Sequence, residues 1–393
     1  MCLDEEEVHY NPYYDPILKF TAEEANSTIQ LNRVGSATTL ENASLQYSTD
    51  NGETWNDYTY TVQGTKGYSG DTITLENVGD SVKFKGTNTT LGVSTSNYHQ
   101  FVMTGKIKAT GDVTSLFNEV GYDIAMPSYG CYKLFSNCSS LTEAPTLPAT
   151  TLASYCYYNM FNGCTSLTAA PELPATTLAN YCYDNMFYGC TSLTAAPELP
   201  ATTLAYYCYS NMFHGCTSLT AAPALPATTL ASYCYSSMFG GCTSLTAAPE
   251  LPATTLKSNC YSYMFEYCTS LTAAPELPAT TLADYCYYYM FYDCRALTAA
   301  PELPAINLSG ASFCYQCMFN GCTSLTTAPE LPATTLANYC YSNMFSGCTS
   351  LTAAPELPAT TLASYCYQYM FYCCTSLTAA PELPATTLAS SCY

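Results

Sequence analysis

A chain of 393 residues, 48% of them hydrophobic and only 10% charged, can bury a large interior, so its net charge of −20 does not make it a disordered polyanion. Ten Lys and Arg residues are too few to coat a phosphate backbone, which excludes nucleic acid as a partner. No apolar run approaches the ~20 residues needed to cross a bilayer as a helix.

Residues 1–15 read as a tether, with the acidic run Asp4-Glu5-Glu6-Glu7 and then Asn11-Pro12-Tyr13-Tyr14. From 16 to 108 the pattern changes to short alternating runs broken by turn residues. Ile17-Leu18-Lys19-Phe20, Thr28-Ile29-Gln30-Leu31, Ser44-Leu45-Gln46-Tyr47, Thr72-Ile73-Thr74-Leu75, Ser81-Val82-Lys83-Phe84 and Phe101-Val102-Met103 read as strands. Short strands at this spacing predict a β-sandwich. Within it, Ser48-Thr49-Asp50-Asn51-Gly52-Glu53-Thr54-Trp55 resembles the Asp-box turn of sialidases and other secreted β-proteins, and is expected to be a structural hairpin. Residues 109–137 lack a full repeat but carry Tyr132, Leu134-Phe135 and lead to Cys138. They are expected to cap the array that follows.

That array occupies 138–393. The segment GCTSLTAAPELPATTLA returns almost unchanged, and its Cys falls every 26 residues from Cys138 to Cys374, except for one step of 28 between Cys294 and Cys322. A fixed period of this length predicts a solenoid of ten 26-residue units, each stacked on the next. Leu167, Leu173 and Leu178 recur as Leu193, Leu199 and Leu204, and Met160-Phe161 recurs as Met186-Phe187. Stacked ~4.8 Å apart, such positions make a continuous core. A parallel strand is expected at about 166–170, kept short by Pro171 and Pro174. Leu152, Cys156, Met160 and Cys164 are four apart, a helix-like spacing that suggests a helical turn in the return segment. The two extra residues between Leu308 and Phe313 should bulge outward.

Twenty of the 24 cysteines form two columns, one through Cys138 to Cys374 and one through Cys156 to Cys392. Disulfides such as Cys138–Cys156 and two ladders of buried thiols both fit this arrangement. No metal site is expected, because no histidine accompanies the columns. Eight glutamates, from Glu172 to Glu382, form a further column, read as an exposed stripe, with calcium bridging as the alternative. His9, His99 and His214 assemble no catalytic constellation with a nucleophile, so no enzyme activity and no cofactor are expected.

The units differ mainly around the second cysteine, where Tyr, Ser, Asn, Asp and Gly alternate, a vocabulary shared with antibody paratopes. Tyr158, Tyr188, Tyr263, Tyr288, Tyr289, Tyr292, Tyr369 and Tyr372 are the candidate binding residues. Neutral drift after duplication is the competing account.

The recurring Phe-x-Gly-Cys-Thr-Ser-Leu-Thr junction followed by Leu-Pro resembles the BspA-like leucine-rich repeats of surface proteins in the Bacteroides group, over about 130–393. The unit here is longer, carries prolines in the strand region and adds a second cysteine column. The resemblance implies adhesion or binding of host and matrix proteins, and no particular site. Met1-Cys2 before the acidic run also resembles the mature end of a surface lipoprotein, which makes Cys2 the candidate lipidation residue and the only link to a membrane. The expected function is a cell-surface or secreted binding protein that presents a Tyr-rich face to a glycan or host protein. The alternative is a structural spacer or a self-assembling filament component.

Overall fold

The computed structural model describes residues 15–35, 39–63, 67–119 and 124–393. Cys2 and all of the tether except Asp15 lie outside the described residues. The chain is mainly β in character, and among the described residues the only helical element is a 3-10 turn at Val113–Leu116.

The first region holds two sheets of six strands. One runs in the order β12 (Leu141–Glu143), β11 (Ile107–Thr110), β1 (Leu18–Ala22), β8 (Ser81–Gly86), β3 (Leu45–Ser48) and β4 (Asn56–Asp57). The other runs β5 (Tyr60–Gln63), β6 (Gly67–Gly70), β2 (Ser27–Val34), β10 (Asn97–Thr104) and β9 (Gly92–Ser94), with β7 (Ile73–Leu75) also paired to β2. Strict alternation in β2 produces alternating burial, with Ile29 and Leu31 inward. Phe20 and Phe84 of the first sheet meet Phe101 of the second, with ring centroids 5.0 and 5.7 Å apart. The Asp-box segment is a hairpin between β3 and β4. Asp50 accepts from Thr54 N–H and from the hydroxyls of Ser48 and Thr54, while Asn51 and Gly52 take positive φ. Those hydrogen bonds hold the Asp50 carboxyl far below the usual carboxylate range.

This region does not end at a clean boundary. β11 runs across the expected boundary at residue 108 and pairs in parallel with β12, which belongs to the first repeat. Phe101 of β10 stacks on Phe135 at 5.2 Å, and Phe135 stacks on Phe161 at 5.5 Å. The same column continues at 26- or 28-residue steps to Phe371, each ring 5.5 to 5.9 Å from the next. One buried cluster includes both regions.

In the repeats the structure departs from two expectations. The strand at 166–170 is reduced to isolated parallel bridges, such as Ala169 with Ala195 and, further along, Ala247 with Ala273. Pro171 and Pro174 have no N–H to give, so a ladder begun at Ala169 cannot propagate. The return segment is not helical either. Between 153 and 164 the even-numbered N–H groups bond three residues back, as Cys156 to Ala153 and Met160 to Tyr157. The odd-numbered ones bond into the next unit, as Tyr155 to Asn180, Tyr157 to Cys182, Asn159 to Asp184, Phe161 to Met186 and Gly163 to Tyr188. Every fourth residue is left-handed: Tyr155 at φ 62°, Asn159 at 55° and Gly163 at 73°. The chain is a train of overlapping turns with a period of four. It therefore reproduces the helix-like spacing of Leu152, Cys156, Met160 and Cys164, with the last three fully buried.

The same pattern already occupies the segment expected as a cap. Tyr129, Lys133 and Asn137 are left-handed, and Tyr129 N–H bonds to Ser154 O. At the 28-residue step, Ser309 and Gly310 are exposed while Leu297, Leu308 and Met318 stay fully buried, so the insertion bulges without breaking the columns.

Candidate functional site

The turn train fixes which side chains can reach solvent. In each period of four, two residues point inward: Cys156 and Tyr157, then Met160 and Phe161. The tyrosines equivalent to Tyr157 stack from there to Tyr393 at 5.5 to 6.0 Å. They are structural. Variation between units gathers at and just before the second and third left-handed positions, where some side chains, such as Tyr188, are exposed and others, such as Asp184 and Ser210, are buried.

The candidate residues divide by exposure. Tyr188, Tyr369 and Tyr372 are exposed. Tyr158, Tyr263, Tyr288, Tyr289 and Tyr292 are half-buried because they pack on one another or on their neighbours. Tyr158 lies flat on Tyr132 at 5.1 Å. Tyr263 meets Tyr288 edge-on and Tyr289 nearly flat, both at 5.2 Å, and Tyr289 lies 5.0 Å from Tyr292. Tyr188 stacks on His214 at 4.8 Å. Burial pushes up the hydroxyl pKa of Tyr158 and, more strongly, those of Tyr263 and Tyr289. These hydroxyls stay protonated and can donate hydrogen bonds.

Two exposed rings were missed. Tyr206 is exposed beside Tyr207, 4.5 Å away. Tyr267 is also exposed and stands where Gly163, Gly189, Gly215 and Gly241 stand in other units. The loss of that recurrent glycine was the available signal.

His214 faces Glu266 at 3.7 Å across an intervening unit. That unit carries Gly240, where a Cβ would lie 2.6 Å from His214 Cδ2, so only glycine lets the two side chains meet. His99 accepts from Ala43 N–H and is held by Leu91 O, and burial lowers its pKa to about 4. It is a neutral core residue.

Every described cysteine is a free thiol, and all but Cys373 are buried. Cys131 stands outside both columns: its N–H bonds to Cys156 O as Tyr157 N–H bonds to Cys182 O, so it takes the place of the stacked tyrosine. In the first column each thiol donates to a phenylalanine carbonyl one unit back, as Cys164 to Phe135 O and Cys190 to Phe161 O, both at 3.1 Å. That contact uses the carbonyl's second lone pair and explains cysteine there without a disulfide. Burial pushes the Cys190 thiol up to about 12. The eight glutamates of the stripe are exposed, and among the described residues none is ion-paired. Among the described residues no group of three His, Cys, Asp or Glu is placed to hold a metal ion, and no helix is long and apolar enough to cross a membrane.

The repeats therefore set a row of variable, partly exposed side chains against a regular buried core. Six copies of the BspA type leucine rich repeat region match residues 131–236, 183–304 and 288–384, and the chain belongs to that family. Repeats of this family suggest a surface or protein-binding role and typically act as non-enzymatic scaffolds. No curated protein and no solved structure matches the chain.

Proposed function

We propose that this is a cell-surface or secreted binding protein of adhesin type. Its ten 26-residue units form one continuous solenoid behind a β-sandwich over 16–108, with 109–137 as the joining cap. The Tyr-rich face of the solenoid contacts a glycan or a host or matrix protein, and a lipid on Cys2 would anchor the chain to an outer membrane.

One observation carries this reading. Variation between units brings in tyrosines that group together rather than scatter, as in Tyr263, Tyr288, Tyr289 and Tyr292. Tyr supplies a large contact area and a hydroxyl at small entropic loss. Drift on a solvated face gives no reason for tyrosines in adjacent units to meet.

The test is a quadruple variant, Tyr263→Ser, Tyr288→Ser, Tyr289→Ser and Tyr292→Ser, against cells, mucin, matrix proteins and a glycan panel. Each hot-spot ring contributes ~2 kcal/mol or more, so attachment should be abolished while the fold survives. Equal binding by variant and parent would make the face drift and leave the spacer or filament role in its place.

A further inference from the structure

Two consecutive units hold an aromatic patch built against the preference of the backbone. Tyr263, Tyr267 and Tyr289 have φ of 57°, 58° and 54°. In most other units the same two positions carry Asn, as at Asn159 and Asn185, or Gly, as at Gly163 and Gly189, with Tyr369 and Ser237 among the exceptions. Asn and Gly enter the left-handed region at lower cost than Tyr. Left-handed tyrosine recurs at the Tyr155 position along the array, so what sets these two units apart is tyrosine at the following left-handed positions. The rings also form one assembly: Tyr267 meets Tyr292 edge-on at 5.3 Å, and Tyr285 meets Tyr288 at 5.3 Å. Tyr267, at one end of it, remains 45% exposed.

The charge around this patch is negative. Glu266 lies between Tyr263 and Tyr267 in sequence, and its N–H bonds to Tyr263 O at 3.1 Å. Asp284 is exposed beside Tyr285. Asp293 is paired with Arg295 at 2.8 Å, Glu266 turns one oxygen to His214 and Asp284 accepts from Ser312 N–H with one oxygen, so the second oxygens of Glu266 and Asp284 set the local sign. The chain as a whole carries −20.

We propose that this patch is a docking site for an arginine-rich segment of a partner protein, with guanidinium groups seated on the tyrosine faces and held by Glu266 and Asp284. The proposal rests on the protein-binding reading above and narrows it to one patch and one partner chemistry. Electron-rich ring faces attract cations, arginine more often than lysine, because its planar group also stacks. Nearby carboxylates add charge-assisted hydrogen bonds.

The test compares labelled oligoarginine, oligolysine and oligoglutamate on the whole chain and on Tyr263→Asn/Tyr267→Gly. This double variant installs the residues neighbouring units already use. It leaves every charge in place and should melt at the same or a higher temperature, so a binding loss cannot be ascribed to unfolding. The parent should bind oligoarginine more tightly than oligolysine, more weakly as salt rises, and oligoglutamate not at all. The double variant should bind oligoarginine about tenfold more weakly. Undiminished affinity in the double variant would reduce the binding to general attraction by an acidic surface and overturn the proposal. So would capture of a glycan by the same rings with no binding of oligoarginine. If the quadruple serine variant loses a host partner while oligoarginine binding is indifferent to Tyr263 and Tyr267, the broader reading stands and this one falls.

Discussion

The two regions of the chain settle their backbone hydrogen bonds differently. In the sheets, β2 pairs with β10, β6 and β7, so its partners lie within one folded unit. In the repeats, the odd-numbered N–H groups of the turn train go to carbonyls 25 residues on, as Tyr181 to Tyr206 and Tyr207 to Ser232, or 27 on across the insertion, as Tyr285 to Ser312. A buried backbone group left unpaired costs about as much as a lost hydrogen bond. A single unit therefore has no stable form alone, while the sheets close on themselves. The junction couples the two modes through β11 with β12 and through the Phe101–Phe135 stack.

Breaking that junction should have the largest effect. Phe135 is fully buried between Phe101 and Phe161 and also touches Phe20. Phe135→Ala should cost ~3–5 kcal/mol. Calorimetry should resolve one transition in the parent and two in the variant, as sheets and repeats melt apart. A single transition at an unchanged temperature would show that the column does not couple them.

A second test probes the repeats alone, by pH. Asp184 stands in the column that carries Tyr158 and Ser210, and it is only 4% exposed. Burial raises its pKa from the usual 3.8 to about 7, against the lowering effect of hydrogen bonds from Asn211 and Ser210. The folded state thus holds this proton more tightly than the unfolded one. Stability from Asp184 is present in full below about pH 4 and is lost as pH rises to about 7. The loss is on the order of 4 kcal/mol at most. Asp184→Asn should remove this dependence and raise the melting temperature at pH above 7, with little change near pH 4. A parent whose stability rises from pH 4 to 7 more steeply than the variant's would contradict the sign.

The sequence disclosed the register of the repeats, because Leu167, Met160 and Phe161 can be buried only by stacking, and all three are fully buried. It disclosed six of the strands in the first region from their alternation. It did not disclose the turn train, since a spacing of four is common to a helix and to successive turns. What separates them is Asn159 and Gly163 recurring four apart, residues that tolerate left-handed backbone and weaken a helix. The strand at 166–170 failed for a reason already visible, the prolines that follow it. The candidate tyrosines were legible as variation but not as geometry. Nothing in the sequence says that Tyr288 packs half-buried on Tyr289 while Tyr372 keeps an exposed ring, and Tyr267 could be read only from a lost glycine.

The smallest expected effect lies in the glutamate stripe. Glu276 is exposed, and its neighbours Glu250 and Glu302 are one unit away on either side. Like charges ~5 Å apart in water repel by about 0.8 kcal/mol per neighbour. No ion pair offsets this among the described residues. Glu276→Ala should leave the melting temperature unchanged or raise it slightly, more so at low salt, because screening removes the repulsion in the parent. Leu219→Ala, at a fully buried position, should cost ~2–5 kcal/mol. The pair separates two ladders of equal period and opposite environment. If Glu276→Ala lowers the melting temperature as far as Leu219→Ala does, the glutamates are not a solvated stripe but a bridged structural column. Cation dependence of the parent's melting temperature would then be the next measurement.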